Sequence, residues 1–214
     1  VVRTVTIWWF FIAVVLLISR FAIEPREPFN WFWLFTLACW AVLDCYWAAL
    51  GQTNKTVPPA KQSHSAVVIG WMPHALYCLP LSSVPILGQR LLPNSALLQF
   101  AGATMCALGV GFAMWARRIL AHNWNATVTR GEEQQLVQNG PYAVVRHPIY
   151  SGFLAALLGM LFALGEVRAV ILLAGGAVVL LKKMKHEEAI LDAAFPDDYR
   201  RYQQRVARVI PWIW

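Results

Sequence analysis

The sequence predicts an all-α polytopic membrane protein of about four transmembrane helices plus a C-terminal helical hairpin, on three observations. Of 214 residues, 58% are hydrophobic and only 14% charged, which is more apolar area than one soluble core hides. No charged side chain occurs from Ala66 to Gln89 or from Leu91 to Ala116, runs of 24 and 26 residues, each long enough for a helix to cross a hydrocarbon core of roughly 30 Å. The polar remainder falls mostly into two stretches, 117–147 and 182–214. Neither approaches the roughly 100–150 residues of an ordinary soluble domain, so whatever chemistry exists is done at the membrane face.

Taken in order, the apolar runs predict spans at about 5–23, 29–50, 66–87 and 95–116. The first lacks an Ala-x-Ala-type cleavage site and is followed directly by another span, so it is read as a retained helix. The last apolar stretch, 150–181, is broken by Gly165-Glu166-Val167-Arg168. Its halves, of about 15 and 14 residues, are each short for a full crossing at roughly 1.5 Å per residue. A hairpin that dips in and returns is the natural solution. Its polar turn is expected near the opposite headgroups or against protein, because lipid does not tolerate exposed irregular backbone. Basic residues set the orientation: 12 of the 18 lie from Arg117 onward, so the positive-inside rule makes the protein multi-pass with N- and C-termini cytoplasmic. The net charge of +7 then reflects an anionic leaflet, and a nucleic-acid partner has no further support.

Several residue types close off other chemistries. Cys39, Cys45, Cys78 and Cys106 all lie in apolar runs without C-x-x-C spacing, and the five histidines include no H-E-x-x-H, so no metal site is predicted. Gly109-Val110-Gly111 sits inside an uncharged span with no preceding strand, where close helix packing rather than dinucleotide binding is expected. Arg20 is near enough to a predicted helix end to snorkel, whereas Asp44 is deeper and is a candidate for function on the rule for intramembrane acids.

The informative region runs from Asn123 to Gly152. It contains Gln134-Gln135-Leu136-Val137 and then N-G-P-Y-A-V-V-R-H-P-I-Y-S-G from Asn139 onward. Gly140-Pro141 marks a turn, and Pro148 suits the first position of a helix. His147, before it, is pushed toward extended backbone. Arg146 and His147 thus precede a helix N-terminus whose N–H groups favour an anion. Downstream, K-K-M-K-H-E-E-A-I-L-D-A-A-F-P-D-D-Y-R-R-Y reads as a helix leaving the membrane through Lys182–Lys185 and continuing past Glu188. Lys183 and Glu187 share a face four residues apart. Glu187 stands beside the Arg-His corner and is free to pair with a cation, while Glu188, Asp192, Asp197 and Asp198 are read as a solvated face.

The ordered set R-H-P-x-Y-x-G, its L-V-x-x-G-x-Y lead-in and the downstream E-E-x-x-L-x-x-x-F-x-x-x-Y-x-x-Y pattern resembles the integral-membrane methyltransferases of the isoprenylcysteine carboxyl methyltransferase type, related more distantly to phospholipid N-methyltransferases. The resemblance covers about 123–214. It implies a cytoplasmic pocket for S-adenosylmethionine (SAM) and a lipophilic small-molecule or lipid substrate entering from the bilayer. It also implies two parts to one integrated domain, N-terminal transmembrane helices in 1–116 and a cofactor-binding and catalytic region in 117–214. By the same resemblance the cofactor contacts are Gln134, Gln135, Leu136, Val137, Tyr142, His147, Pro148, Ile149, Tyr150 and Glu187. Lys183 matches a substrate-contacting arginine; lysine keeps the charge without the bidentate fork, which argues against a prenylcysteine carboxylate as acceptor. Arg146, the fixed cation nearest the expected reacting centre, is assigned to positioning substrate or stabilising developing charge. A membrane reductase of the sterol type using NADPH and a non-enzymatic membrane scaffold are the competing readings.

Overall fold

The computed structural model describes residues 30–53, 86–123 and 136–211; the expected span 5–23, nearly all of 66–87, and Gln134 and Gln135 lie outside them. Among the described residues the architecture is all-helical: α1 (Trp31–Thr53), α2 (Ala96–Asn123), α3 (Pro148–Leu164), α4 (Val167–Ala194) and α5 (Pro196–Arg205), with a 3-10 turn at Gly140–Ala143. The only strand-like pairings among them are isolated bridges. Over Ala96–Leu120, α2 is long and apolar enough to cross a membrane, and Trp31–Trp47 and Pro148–Leu164 are shorter apolar helices. The helix runs unbroken past the expected span end at 116 to Asn123.

Small residues set the closest contact. Antiparallel α2 and α3 touch backbone to backbone: a Cβ on Gly109 would lie 2.6 Å from the Gly152 carbonyl, and one on Gly159 would lie 2.5 Å from the Cys106 nitrogen. In an apolar medium such packing replaces the hydrophobic effect as the force that joins helices. The Gly109-Val110-Gly111 expectation therefore holds for Gly109 alone, since a Cβ on Gly111 would meet nothing within 4 Å. Helix α1 runs parallel to α2. Phe32 meets Phe100 at one end (6.3 Å), and at the other the Tyr46 hydroxyl donates to the Met114 carbonyl (3.3 Å). Trp40, wholly buried, and Trp47, half-buried, both reach Phe153 of α3, at 5.9 and 5.7 Å.

The hairpin is shorter at its turn than expected. Only Gly165 and Glu166 leave the helices; Val167 and Arg168 already belong to α4. Gly165 adopts the left-handed φ of 71° that ends α3, a conformation glycine takes without a Cβ penalty. The 17 residues of α3 reach about 25 Å, and protein rather than lipid covers the irregular end. Leu91 N–H donates to the Gly165 carbonyl (2.7 Å) and Val167 N–H to that of Gln89 (3.0 Å), so the turn's backbone is satisfied as an apolar medium requires. Beside it Arg168, fully buried, pairs with Glu166 at 2.6 Å.

From this turn α4 returns along one buried stripe, Arg168, Leu172, Gly176, Leu180, Met184 and Glu188. The spacing of four residues keeps one face against the bundle. The helix does not continue through the whole charge run: Phe195 ends it, and Pro196 starts α5, where a proline without an N–H costs no hydrogen bond. Asp197 and Asp198 in its first turn and Arg205 in its last complement the helix dipole.

Candidate active site

Opposite the hairpin turn, the 3-10 turn, the start of α3, the polar end of α4 and the segment after α5 converge. Pro148 stands at the first helical position as expected, but His147 has φ −121° and ψ 60°, short of full extension. Tyr150 and Ser151 N–H groups both turn back to the His147 carbonyl, at 3.0 Å each. The anion-binding face of the helix is thereby narrowed chiefly to the Ile149 N–H.

Arg146 does not project freely from this corner. Its Nη1 donates to the carbonyls of Gln203 and Val206, each at 3.0 Å, and its Nη2 to Glu188 Oε1 at 3.2 Å. The guanidinium therefore ties the end of α5 to the α3 entry, and removing Arg146 would cost fold contacts. Backbone bonds reinforce the tie, with Arg146 N–H on the Ala207 carbonyl (2.8 Å), His147 N–H on that of Arg208 (3.0 Å) and the Ser151 hydroxyl on that of Val209 (2.7 Å). Residues 206–209 form a strap beside 145–151, with a parallel bridge between Val145 and Ala207.

Glu188 is likewise corrected. The solvated-face reading puts it in water; the structure buries it to 7% exposure. Its Oε1 accepts from Arg146, from His147 Nε2 (3.2 Å) and from Arg208 Nε (3.0 Å), while Oε2 accepts from Arg208 Nη2. Burial pushes its carboxyl up, but the hydrogen bonds and charges of His147 and Arg208 outweigh that and hold the pKa down at about 2. Arg208 and the carbonyls of Gln203 and Val206 are the parts of this cluster that motif reading leaves out. Periodicity is the signal that finds Glu188: it is the next member of the stripe Leu172, Gly176, Leu180, Met184.

Glu187, one residue earlier, faces another way. It accepts from the Tyr150 hydroxyl (2.5 Å) and lies 3.8 Å from His147 Nδ1, with its side chain 38% exposed. The His147 ring stacks on Tyr150 at 5.6 Å, and Lys183 Nζ sits 5.4 Å over the same ring, a cation–π distance. Five expected residues, Tyr142, His147, Tyr150, Lys183 and Glu187, are thus at one end of the bundle. Pro148 is buried at the α3 start, Ile149 packs against the buried cluster of Tyr150, Leu180, Met184 and Val209, and Leu136 and Val137 are half-buried in the irregular lead-in. Buried Tyr142 gives its carbonyl to the Tyr202 hydroxyl. Burial, then Tyr202, push the Tyr142 phenol up; Arg117 pulls it down, and Glu187 adds to the rise.

The arrangement has counterparts. Residues 97–198 match the family model "Phospholipid methyltransferase". The chain is 38% identical over 88 residues to the protein-S-isoprenylcysteine O-methyltransferase of Schizosaccharomyces pombe, covering 39% of this chain and 36% of that one. It is 38% identical over 79 residues to methanethiol S-methyltransferase 1 of Bradyrhizobium diazoefficiens, covering 33% of this chain and 24% of that one. The matches thus span about a third and a quarter of these relatives' own lengths. The fold is shared with the eukaryotic intramembrane Ras methyltransferase ICMT (isoprenylcysteine carboxyl methyltransferase), at a TM-score of 0.51 and 19% identity over 94% of this chain and 74% of that one. Over residues 97–198, just under half of the chain, the sequence is thus similar to the phospholipid methyltransferase family, and that similarity includes the R-H-P-x-Y-x-G to E-E order of the site.

Proposed function

We propose that this protein moves the methyl group of SAM to a lipophilic or membrane-partitioning acceptor, with the cofactor entering from the cytoplasmic side. The observation that carries the reading is the meeting of His147, Tyr150, Lys183 and Glu187 at the polar end of an apolar helix bundle. These side chains fit the cofactor's chemistry. A part-exposed carboxylate suits an ammonium, a tyrosine face suits a cation or an adenine, and the Ile149 N–H suits a carboxylate. Glu187, Tyr142, His147, Tyr150 and the 134–137 lead-in would hold the group, and what it supplies when bound is a methyl already activated on a sulfonium.

No nucleophilic side chain is required of the protein. Its own work is to align the acceptor, exclude water and neutralise charge. In this reading Lys183 serves the acceptor side, its ammonium resting on Tyr150 beside the membrane boundary. Arg146 acts as a positioning residue, holding the strap against His147, and thus supports the corner without touching the acceptor. The methanethiol and isoprenylcysteine enzymes named among the relatives favour sulfur or oxygen as the accepting atom. Calorimetry with SAM and S-adenosylhomocysteine, in detergent and in lipid nanodiscs, tests the reading. One saturable site per chain is expected; no saturable binding of either compound, or binding of NADPH in its place, overturns it.

A further inference from the structure

His147 stands between two carboxylates, and its ring nitrogens meet them in different ways. Nε2 is 3.2 Å from Glu188 Oε1, a hydrogen-bond distance, whereas Nδ1 is 3.8 Å from Glu187 Oε2, beyond one. The His147 and Glu188 side chains are sealed, at 5% and 9% exposure, while that of Glu187 is open. The ring is held in place: it stacks on Tyr150 with 18° between the planes, and the His147 N–H and carbonyl are tied to the strap and to the first turn of α3. On the inner side Arg146 and Arg208 both donate to Glu188, whose carboxyl is held down at about 2 and stays ionised. An ionised carboxylate only accepts, so the ring nitrogen facing it must carry the proton. On the outer side Glu187 Oε1 already accepts from the Tyr150 hydroxyl (2.5 Å), which leaves Oε2 facing the opening beside Nδ1. Arg146, Arg208 and Lys183 already outnumber the two carboxylates around the ring, so no surplus acid is left to hold a second ring proton.

We infer that Glu188 is a positioning residue: it fixes His147 as the Nε2–H tautomer, so that the Nδ1 lone pair and Glu187 Oε2 together form an acceptor pair for an amine. Two acceptors 3.8 Å apart repel each other while nothing lies between them, and an amine with two N–H bonds to give relieves both. The opposite tautomer would turn an Nδ1–H toward Glu187 and close the pair. Glu188 itself, buried behind the ring, touches no ligand; it acts through His147, in the way that the outer partner of a working imidazole sets which nitrogen is free. The identity of the amine rests on the methyltransferase reading above: SAM carries N–H donors on its amino-acid end and on its adenine, and the two are separable by analogues.

The test uses the full chain in lipid nanodiscs with isotope-labelled histidine, the other histidines replaced by glutamine, and reads the ring nitrogens by magnetic resonance. Expected in the free protein are a proton on Nε2 and a bare Nδ1, with the Nδ1 signal moving when S-adenosylhomocysteine is added. Glu188→Met, which removes the inner acceptor, should move the proton to Nδ1 and weaken S-adenosylhomocysteine binding about tenfold, the loss falling on the KM for SAM rather than on the rate at saturation. Glu188→Gln, whose amide oxygen still accepts, should recover most of both. Analogues lacking the amino-acid amine, or carrying oxygen in place of the adenine amine, identify the group received: its removal costs about tenfold in wild type and nothing further in Glu188→Met. A proton on Nδ1 in the free protein, alone or together with one on Nε2, overturns the inference whether or not any variant folds. So does a Glu188→Met protein that is less stable yet keeps the original tautomer and affinity, which is the outcome of a purely structural role, and so does equal binding of both analogues and the parent compound. The expected tautomer in a protein that binds neither SAM nor S-adenosylhomocysteine would instead defeat the methyltransferase reading alone.

Discussion

Glu188 takes hydrogen bonds or ion pairs from Arg146, His147 and Arg208, and its burial makes each partner matter. Removing one member of a buried ionic set leaves uncompensated charge, at a cost of about 3–5 kcal/mol. Glu188→Ala is therefore expected to lower the thermal unfolding temperature in detergent markedly, whereas Glu187→Ala, at a part-exposed carboxylate, keeps the fold and weakens SAM binding. Similar unfolding temperatures for the two variants would contradict this division. A pH dependence follows from the same residue. The groups around its carboxylate are Arg146, His147, Arg208 and Tyr199, and its folded pKa of about 2 lies below the ordinary 4.5. The stabilisation is complete above about pH 4.5 and is lost as pH falls toward 2. An acid titration of the unfolding temperature should show that loss in wild type and a flatter profile in Glu188→Gln.

At the scale of elements, the α2–α3 seam separates glycines that look alike in sequence. A Cβ at Gly159 would sit 2.5 Å from the Gly102 carbonyl oxygen as well as the Cys106 nitrogen, backbone atoms that cannot swing aside. Gly159→Val is expected to destabilise by roughly 1–3 kcal/mol or more. Gly111→Ala, with open space around it, should stabilise by about 0.5–1 kcal/mol through helix propensity. Opposite signs in a denaturation series would support the seam; equal losses would refute it. The apolar helices and the break at Gly165 are legible because hydropathy and glycine report them directly. Which of Gly109 and Gly111 meets a neighbour is not, since it depends on the rotation of α2 against α3. Nor is the stop at Phe195, where a proline one residue later ends a helix that the charge pattern alone would extend. Glu187 and Glu188 were separable in principle by the four-residue stripe of α4, but solvent-like composition masks a stripe that carries its last buried member beyond the membrane.

Across the whole molecule the described residues have two distinct ends. Gln89 lies on the segment bonded to the hairpin turn, and Asp198 lies on α5 beside the strap; both are exposed. The positive-inside rule, applied to the basic bias of the sequence, predicts that the second end faces the cytoplasm. In a chain with its four cysteines replaced by alanine, Gln89→Cys and Asp198→Cys should react with a membrane-impermeant maleimide from opposite sides. In sealed right-side-out vesicles only the former is expected to label, and labelling of both, or of Asp198→Cys alone, would reverse or remove the proposed orientation. The R-H-P to E-E order was readable as a family resemblance, but the participation of the last residues was not, because carbonyls that accept hydrogen bonds leave no trace in side-chain identity.

The strap has a consequence for how the protein is made. Arg146 donates to carbonyls 57 and 60 positions further along the chain, and Ser151 to one 58 positions further. Translation proceeds from the N-terminus, and earlier helices can pair as they emerge. The corner at 145–151, by contrast, waits for nearly the last described residues before its arginine and its backbone N–H groups are satisfied. A nascent chain halted before Val206 would already hold its helices together while the 145–151 corner stayed unfinished. Packing of the helices and completion of the 145–151 corner are therefore separate events in the protein's biosynthesis, with the second withheld until residues 206–209 have been made.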